Sequence, residues 1–245
     1  MKKVILLLFI ISLNFAFAKD DPEAAKAMRN IFSSLQSHKS ISYDVVFRIK
    51  TLFANNYEVS KGKVEIIRRE DDKFFGIYFW YSINDTLEKY YDGTDVFGYF
   101  PKKKSVIYYD IKKEGLEGFY QETDGEVMRI PFIQPKSLLG LIGSNNNLKI
   151  STYKQNKNYK IITVSYPDEQ KVKNMKMEIV FNPKDFTLVK IVSSGEFKNS
   201  KQVNEWNLSN VKFDQVTEES LKKHFLNFSK LKRTKYEKPK PIFNN

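Results

Sequence analysis

The sequence predicts an α+β protein in which roughly eleven antiparallel strands form the main body. Three observations lead to this prediction. The stretch from 72 to 111 alternates in strand-like fashion and is crowded with Phe, Tyr and Trp. Apolar stripes at helical spacing lie near both ends of the chain. Between two sets of strands, residues 114–147 are punctuated by Gly and Pro. No linker divides the chain, so a single domain spanning residues 19–231 is expected.

A leading helix is predicted to begin at Asp21-Pro22-Glu23. Asp can cap the free amides of the first turn, Pro suits that turn, and Glu complements the helix dipole. The residues that follow place one apolar stripe on the helix, formed by Met28, Ile31, Phe32 and Leu35. The helix should end at Ser37 to Ser40.

The first set of strands is recognised by alternation and by its turns. Tyr43, Val45, Phe47 and Ile49 alternate with more polar neighbours, which is typical of a half-buried strand. Turns are predicted at Asn55-Asn56, Asn84-Asp85 and Asp92-Gly93, where residues that tolerate positive φ stand between strand-like runs. The run 74–81 is apolar at nearly every position, so both of its faces should be covered by helices, a partner or a bound lipid.

The second half of the chain predicts a helical insert, five further strands and a closing helix. Pro135 suits the first turn of a short helix within the insert. The strands are expected at 148–153, 159–166, 173–181, 187–193 and 203–213. Thr217 can cap a last helix, with Glu218 and Glu219 in its first turn. Its apolar face is predicted to hold Leu221, Phe225, Phe228 and Leu231.

The first residues have the pattern of an export signal, with cleavage expected after Ala18. Lys2 and Lys3 precede an apolar run that ends in Ala16-Phe17-Ala18. The alternative is an uncleaved membrane anchor, for which the run is short. The chain contains no cysteine, which excludes disulfides, thiol catalysis and thiolate metal sites. The expected location of the mature protein is the periplasm.

The charge of the chain is +12, from 41 Lys and Arg against 29 Asp and Glu. Such a balance favours anionic partners, although a lysine-rich genome would produce it without function. Residues 232–245 are basic and lack an apolar face, so a disordered tail is expected. The tail is interpreted either as an arm for an anionic membrane surface or as a solvated terminus.

No constellation of catalytic residues is visible in the sequence. His38 and His224 lack carboxylates at ligand spacing, so neither a metal site nor a cofactor is expected. There is no nucleophile elbow and no phosphate-binding glycine loop. A pair of distant carboxylates, as in glycosidases, stays formally open. The aromatic rings lie in alternating strand patterns that suit burial, which argues against a nucleic-acid partner. The prediction is a protein that is not an enzyme.

With these elements in order, the chain resembles the LolA-like family of periplasmic lipoprotein carriers, to which LolB and the amino-terminal domain of RseB are related in shape. The local matches are the Asp-Gly hairpin from Tyr90 to Pro101, the strand from Val106 to Asp110, the insert from Pro135 to Leu141 and the hairpin from Phe181 to Val189. The resemblance covers most of residues 22–213.

The resemblance implies an open half-barrel, that is, a single curved antiparallel sheet whose concave side is plugged by helices. It also implies a hydrophobic cavity that accepts acyl chains. By strand alternation, the expected lining residues are Tyr43, Val45, Phe47, Phe79, Tyr81, Phe97, Tyr99, Met177, Ile179 and Phe181. Those of the expected lid are Leu138, Leu139, Leu141 and Ile142. The alternative is that these side chains form an ordinary packed core. The family's buried arginine has no clear counterpart, and Arg48 is one option.

The function expected from this resemblance is an exported protein that carries or senses lipid or lipoprotein acyl chains. The alternative is an envelope interaction or regulatory module, RseB-like, with a packed core and no ligand. In that case the partner is another envelope protein.

Overall fold

The computed structural model describes residues 21–52, 54–109, 149–154, 158–169, 171–198, 200–225 and 231–235. These residues contain one sheet of 12 strands in the order β12-β6-β5-β4-β3-β2-β1-β11-β10-β9-β8-β7. The strands are β1 Ser40–Lys50, β2 Glu58–Arg68, β3 Ile77–Ile83, β4 Leu87–Tyr91, β5 Val96–Phe100, β6 Ser105–Tyr108, β7 Lys149–Lys154, β8 Lys160–Ser165, β9 Lys173–Phe181, β10 Leu188–Phe197, β11 Ser200–Phe213 and β12 Lys232–Lys235.

The sheet is open, because β12 and β7 stand at its two edges. Every pair with a described register is antiparallel except β12 with β6, which is parallel. The predicted class, α+β with a single open antiparallel sheet, is therefore confirmed. Strands β1–β11 correspond to the eleven predicted strands, and the predicted turn at Asn84 and Asp85 has positive φ at both residues (50° and 52°).

The leading helix, α1, spans Pro22–Ser37 as the sequence predicts. The Asp21 carboxylate accepts hydrogen bonds from the amides of Glu23 (2.9 Å) and Ala24 (3.2 Å), so it caps the first turn. The predicted apolar stripe of the helix is buried. An ion pair between Glu23 and Lys160 ties the start of α1 to β8.

The closing helix, α2, spans only Glu218–Lys222 and is much shorter than the sequence predicts. Thr217 caps it, accepting a hydrogen bond from the Ser220 amide (3.1 Å). Phe225 is not helical, so the predicted stripe does not continue from Leu221 to Phe225 on one helix. Phe228, also predicted on this stripe, lies outside the described residues. Apolar residues at helical spacing continue in the sequence beyond Lys222, where the helix ends. No Gly or Pro stands there to signal the end of a helix.

The predicted disordered tail is also corrected in part. Lys232–Lys235 form β12, which pairs in parallel with β6 at the edge of the sheet. An unpaired strand edge offers free amides and carbonyls, and these can recruit a polar segment that has no apolar face. The other residues of the predicted tail, 236–245, lie outside the described part of the chain, as do the predicted signal (1–18) and helical insert.

The chain divides into two compact units. Unit 1 comprises Met1–His38, Val46–Ser60 and Ile130–Ser209, and unit 2 comprises Lys39–Val45, Lys61–Arg129 and Asn210–Asn245. Unit 1 contains α1 and β7–β10, whereas unit 2 contains β3–β6, α2 and β12. The unit boundaries fall inside β1, β2 and β11. The single domain at 19–231 stays a prediction.

A charge network crosses one face of unit 1 at Glu205 of β11. Its carboxylate is 3.1 Å from the Lys190 ammonium and 3.7 Å from the Arg48 guanidinium, and it accepts a hydrogen bond from Asn207 (2.7 Å). The Arg48 side chain is 44% exposed and lies over the ring of Tyr57. Arg48 is therefore not the buried arginine that the family resemblance implies.

The network predicts an acid-dependent contribution of Glu205 to stability. Burial raises the pKa of this carboxyl, but hydrogen bonds from Asn207 and Lys190 outweigh burial and lower the pKa overall from its ordinary 4.5. A lowered pKa stabilises the fold above the unfolded value, and this contribution is lost as the pH falls through the folded value. We therefore expect Glu205→Gln to cost stability at neutral pH and progressively less below about pH 4.5. Urea denaturation across this range measures it, and a constant difference would contradict the network.

Candidate functional site

Consecutive aromatic residues of unit 2 point to opposite faces of the sheet. In the β3–β4 pair, Phe79 stands opposite Tyr91, and Trp80 stands opposite Tyr90. Because side chains alternate along a strand, these two pairs lie on different faces. We call them the Tyr81 face, which carries Phe79, Tyr81, Lys89 and Tyr91, and the Trp80 face, which carries Trp80, Tyr90, Phe97 and Val106.

The Trp80 face is a packed core closed by α2. Leu221 of α2 is 1% exposed and belongs to one cluster with Ile67, Trp80, Tyr90, Phe97, Val106 and Val216. The His224 ring stacks on Trp80 at 3.8 Å between centroids, and its Nε2 is 3.2 Å from a Glu65 carboxylate oxygen. His224 therefore has a docking role that the sequence analysis did not assign.

The Tyr81 face extends through β2 to β1. Val64 stands opposite Tyr81 in the β2–β3 pair. The Arg68 amide donates to the Lys39 carbonyl at 2.8 Å, which in an antiparallel pair sets these two residues opposite each other. Counting along both strands from this bond brings Tyr43 opposite Val64. Tyr43, Val64, Tyr81, Lys89 and Gly98 thus form one row across five strands of unit 2.

One end of the Tyr81 face is covered by the turn before β3. The Asp72 carboxylate accepts hydrogen bonds from the amides of Phe75 (2.6 Å) and Gly76 (2.8 Å), and from the Tyr91 hydroxyl. Phe75 is thereby held against the rings of Tyr91 (4.7 Å) and Phe79 (5.7 Å). The turn is anchored, so the aromatic residues beneath it are fixed in orientation.

Polar groups interrupt the otherwise apolar Tyr81 face. Tyr43 is 2% exposed, and its hydroxyl has no hydrogen-bond partner in the described part of the chain. Burial raises the pKa of Tyr43, so the phenol is neutral and available as a donor. Lys89 is 1% exposed and its ammonium lies 5.6 Å from the centroid of the Tyr109 ring. A buried lysine is rare in a core that only has to pack.

The predicted lining residues do not all share one face. Tyr43, Val45, Phe79 and Tyr81 are on the Tyr81 face and are at most 2% exposed. Phe97 and Tyr99, however, belong to the Trp80 face, because Phe97 is registered with Tyr90 and Tyr99 with Glu88. Alternation within β5 does not reveal its register with β4, and a shift of that register by one residue exchanges the faces.

The other predicted lining residues lie in unit 1. Met177, Ile179 and Phe181 are buried on one face of β9, with Ile179 registered to Ile191 and Ile162 on its two sides. Phe47 packs against Trp206 at 5.2 Å between ring centroids. The predicted lid, Leu138, Leu139, Leu141 and Ile142, lies outside the described residues.

Lys89 is the residue that sequence reasoning missed. A lysine in a strand usually faces solvent, but Leu87 and Tyr91, two residues to either side of Lys89, are both buried. Period-two alternation therefore already placed Lys89 on an apolar face.

No cluster of three or more His, Asp or Glu that could hold a metal occurs among the described residues. Within the same part of the chain, no helix has both the length and the apolar character needed to span a membrane.

Comparison with solved structures matches this chain to several proteins at low sequence identity and low TM-score. A LolA superfamily protein from Nitrosomonas europaea has 11% identity and a TM-score of 0.35, in an alignment that covers 83% of this chain and 99% of that chain. LprF from Mycobacterium bovis has 13% identity and a TM-score of 0.36 over 81% of this chain and 96% of that one. A DUF1329 family protein from Desulfovibrio piger has 11% identity and a TM-score of 0.37 over 82% and 98%.

A LolA superfamily protein is thus among the matched structures. No family model matches the chain, and no curated protein sequence matches it significantly. At these identities and TM-scores the structural matches carry no argument about function, which has to be drawn from the residues of the Tyr81 face.

The contrast between Tyr43 and Tyr90 gives a direct test of the interior. The Tyr90 hydroxyl donates to Asp92 at 3.1 Å, whereas the Tyr43 hydroxyl is unpaired among the described residues. We expect Tyr43→Phe to raise the free energy of unfolding by about 1 kcal/mol, because a buried unsatisfied hydroxyl is removed. Tyr90→Phe, the matched control, should lower it by about 1 kcal/mol. Chemical denaturation measures both, and a loss of stability in Tyr43→Phe would show that its hydroxyl is satisfied.

Proposed function

We propose that this protein is an exported, non-enzymatic binding protein that holds a lipid or lipoprotein acyl chain against the Tyr81 face. One observation carries the proposal: a continuous buried apolar face contains a neutral phenol without a described partner and a lysine. Ligand pockets are mostly apolar with a small number of polar groups that orient the ligand. A core that only packs has its polar groups satisfied.

The two faces of the unit 2 sheet support this assignment by contrast. The Trp80 face is closed by α2, and there the Trp80 indole donates to Glu88 at 3.0 Å and the Tyr90 hydroxyl donates to Asp92 at 3.1 Å. The Tyr81 face buries the same kind of aromatic side chains but combines them with Tyr43 and Lys89. Aromatic rings supply broad apolar contact area for an acyl chain. We therefore assign structural packing to the first face and binding to the second.

Substitution at Val45 tests the binding face. Val45 is 1% exposed on this face, and Val59 is 49% exposed on β2. If an acyl chain occupies the face, Val45→Phe should remove most acyl-chain uptake and change the free energy of unfolding little, because the ring fills space that the ligand would fill. Val59→Phe is the matched control and should retain uptake. Native mass spectrometry after incubation with palmitate measures bound ligand.

The alternative function, an envelope interaction module with a packed core, predicts the opposite pattern. The wild-type protein would then take up no acyl chain, and Val45→Phe would destabilise it by about 1–3 kcal/mol through overpacking. That pair of results would refute the binding proposal.

Export is the second element of the proposal, and it rests on the sequence of residues 1–18. The mature chain is expected to begin at Lys19 in the periplasm, as the pattern of charges, apolar run and small residues indicates. Amino-terminal sequencing of the protein recovered from a periplasmic extract should yield Lys19 as its first residue. Recovery of intact Met1 from the membrane fraction would instead favour an anchor.

A further inference from the structure

Three exposed apolar side chains of unit 1 lie close to turns between its strands. Tyr57 stands just before β2 and is 39% exposed, and Val59, the second residue of β2, is 49% exposed. Met175, the third residue of β9, is 38% exposed. The described part of the chain has four large apolar side chains that are this exposed, and these are three of them. Such a grouping on one unit suggests a surface that contacts something apolar.

Strand pairing brings Met175 to the place where two connections of unit 1 meet. Phe197 ends β10 and pairs with the first residue of β11. Glu196 stands opposite Lys173, the first residue of β9. Met175 packs beside Gly195, where a Cβ would lie 3.6 Å from the Met175 Cγ. The β8–β9 and β10–β11 connections therefore lie at the same end of the strands of unit 1.

The β1–β2 connection lies at this end as well. Along β1, Asp44 contacts Asn210 of β11, and Arg48 contacts Glu205 of β11. The partners on β11 descend in number as those on β1 ascend, so the two strands are antiparallel. The end of β1 thus lies toward the start of β11. We call the described residues of 48–60, 166–175 and 195–202 the unit 1 rim.

Cations are interleaved with the exposed apolar side chains of the unit 1 rim. The three segments contain six Lys and Arg against four Asp and Glu. Two of the acids, Asp168 and Glu196, accept hydrogen bonds from Asn174 (2.8 and 2.9 Å), so they are used in holding the turn. The Arg48 guanidinium lies 4.8 Å from the centroid of the Tyr57 ring. The exposed lysines of the rim are Lys171, Lys173, Lys198 and Lys201.

An anionic lipid surface suits this arrangement better than a protein does. A protein interface has a contiguous core of buried side chains, whereas Tyr57 and Met175 are separated by β1, β11 and β10. The headgroup layer of a membrane can take up separated side chains one by one, and a tyrosine ring is well suited to it. Each Lys or Arg close to anionic headgroups strengthens binding about fivefold.

We propose that the unit 1 rim docks this protein on an anionic lipid surface. Tyr57, Val59 and Met175 enter the headgroup layer, and the lysines of the rim contact lipid phosphates. The proposal goes beyond acyl-chain binding and does not depend on it, because no residue of the rim belongs to the Tyr81 face. It also assigns a surface other than the basic residues 232–245.

Vesicle sedimentation with two lipid compositions tests the proposal. The mature protein is mixed with vesicles of phosphatidylcholine alone, and with vesicles of equal parts phosphatidylcholine and phosphatidylglycerol. Binding to the anionic vesicles is expected to be about tenfold or more tighter, because several cations face the lipid phosphates. High salt should weaken this binding by screening the charges.

Matched double variants separate the rim from the total charge. Lys171→Gln with Lys198→Gln should weaken binding to the anionic vesicles about tenfold or more. Lys222→Gln with Lys223→Gln removes the same charge from exposed positions of unit 2 and should change binding little. Both pairs keep residues 232–245, so a difference between them does not come from those residues.

The apolar contribution needs a variant of its own. Val59→Ser with Met175→Ser should remove the binding that persists at high salt, because that part depends on apolar side chains entering the headgroup layer. Both positions are exposed, so the variant is expected to fold, which circular dichroism verifies.

Each remaining outcome counts against the proposal. Equal binding to the two kinds of vesicle, or binding to neither, would overturn it. An equal loss in the two lysine double variants would also overturn it, because total charge would then govern binding. Binding to polyglutamate without binding to vesicles would assign the rim to an acidic protein instead.

Discussion

The pleat of β3 and its register with β4 are the constraint on which the site depends. Phe79, Trp80 and Tyr81 are consecutive, yet they enter two different environments because side chains alternate across the sheet. The short helix α2 gathers Trp80, Tyr90 and Phe97 into a packed core. The intervening residues are left to form a separate interior that contains Lys89. A one-residue slip between β3 and β4 would exchange these sets and destroy both environments.

This division separates a packed aromatic core from a second aromatic surface, to which the proposed function assigns binding. Packing on the Trp80 face stabilises the sheet, so the opposite face does not need to satisfy every polar group it buries. The Asp72 turn contributes by fixing the rings of Phe75 and Tyr91 in edge-on contact. If the proposed ligand binds the Tyr81 face, the hydrogen bonds of the Asp72 turn preorganise that face, which reduces the ordering cost when the ligand enters.

Most of the fold could be predicted from the sequence, since alternation and turn chemistry are local properties. The cap at Asp21, the helix to Ser37, the turn at Asn84-Asp85 and the eleven strands follow from patterns of a few residues.

The residues of the candidate site were harder to predict from the sequence. The misplacement of Phe97 and Tyr99 arose because register between strands is set by pairing along their whole length, which no single strand reveals. The length of α2 was overestimated because apolar spacing persists after its hydrogen bonding stops. Lys89 was overlooked because its residue type suggested solvent, although its neighbours at period two are buried.

The parallel strand β12 has a consequence for how the protein is made. It completes the sheet beside β6, although the two segments are separated by more than half of the chain. During synthesis, β6 emerges long before its neighbour, and its amides and carbonyls can then pair with another strand. Contacts between segments so distant in sequence form slowly, because a long loop must close first. The nascent chain is therefore prone to mispairing at β6 until β12 has been synthesised. A chaperone that covers the edge of β6 would have its greatest effect during that interval.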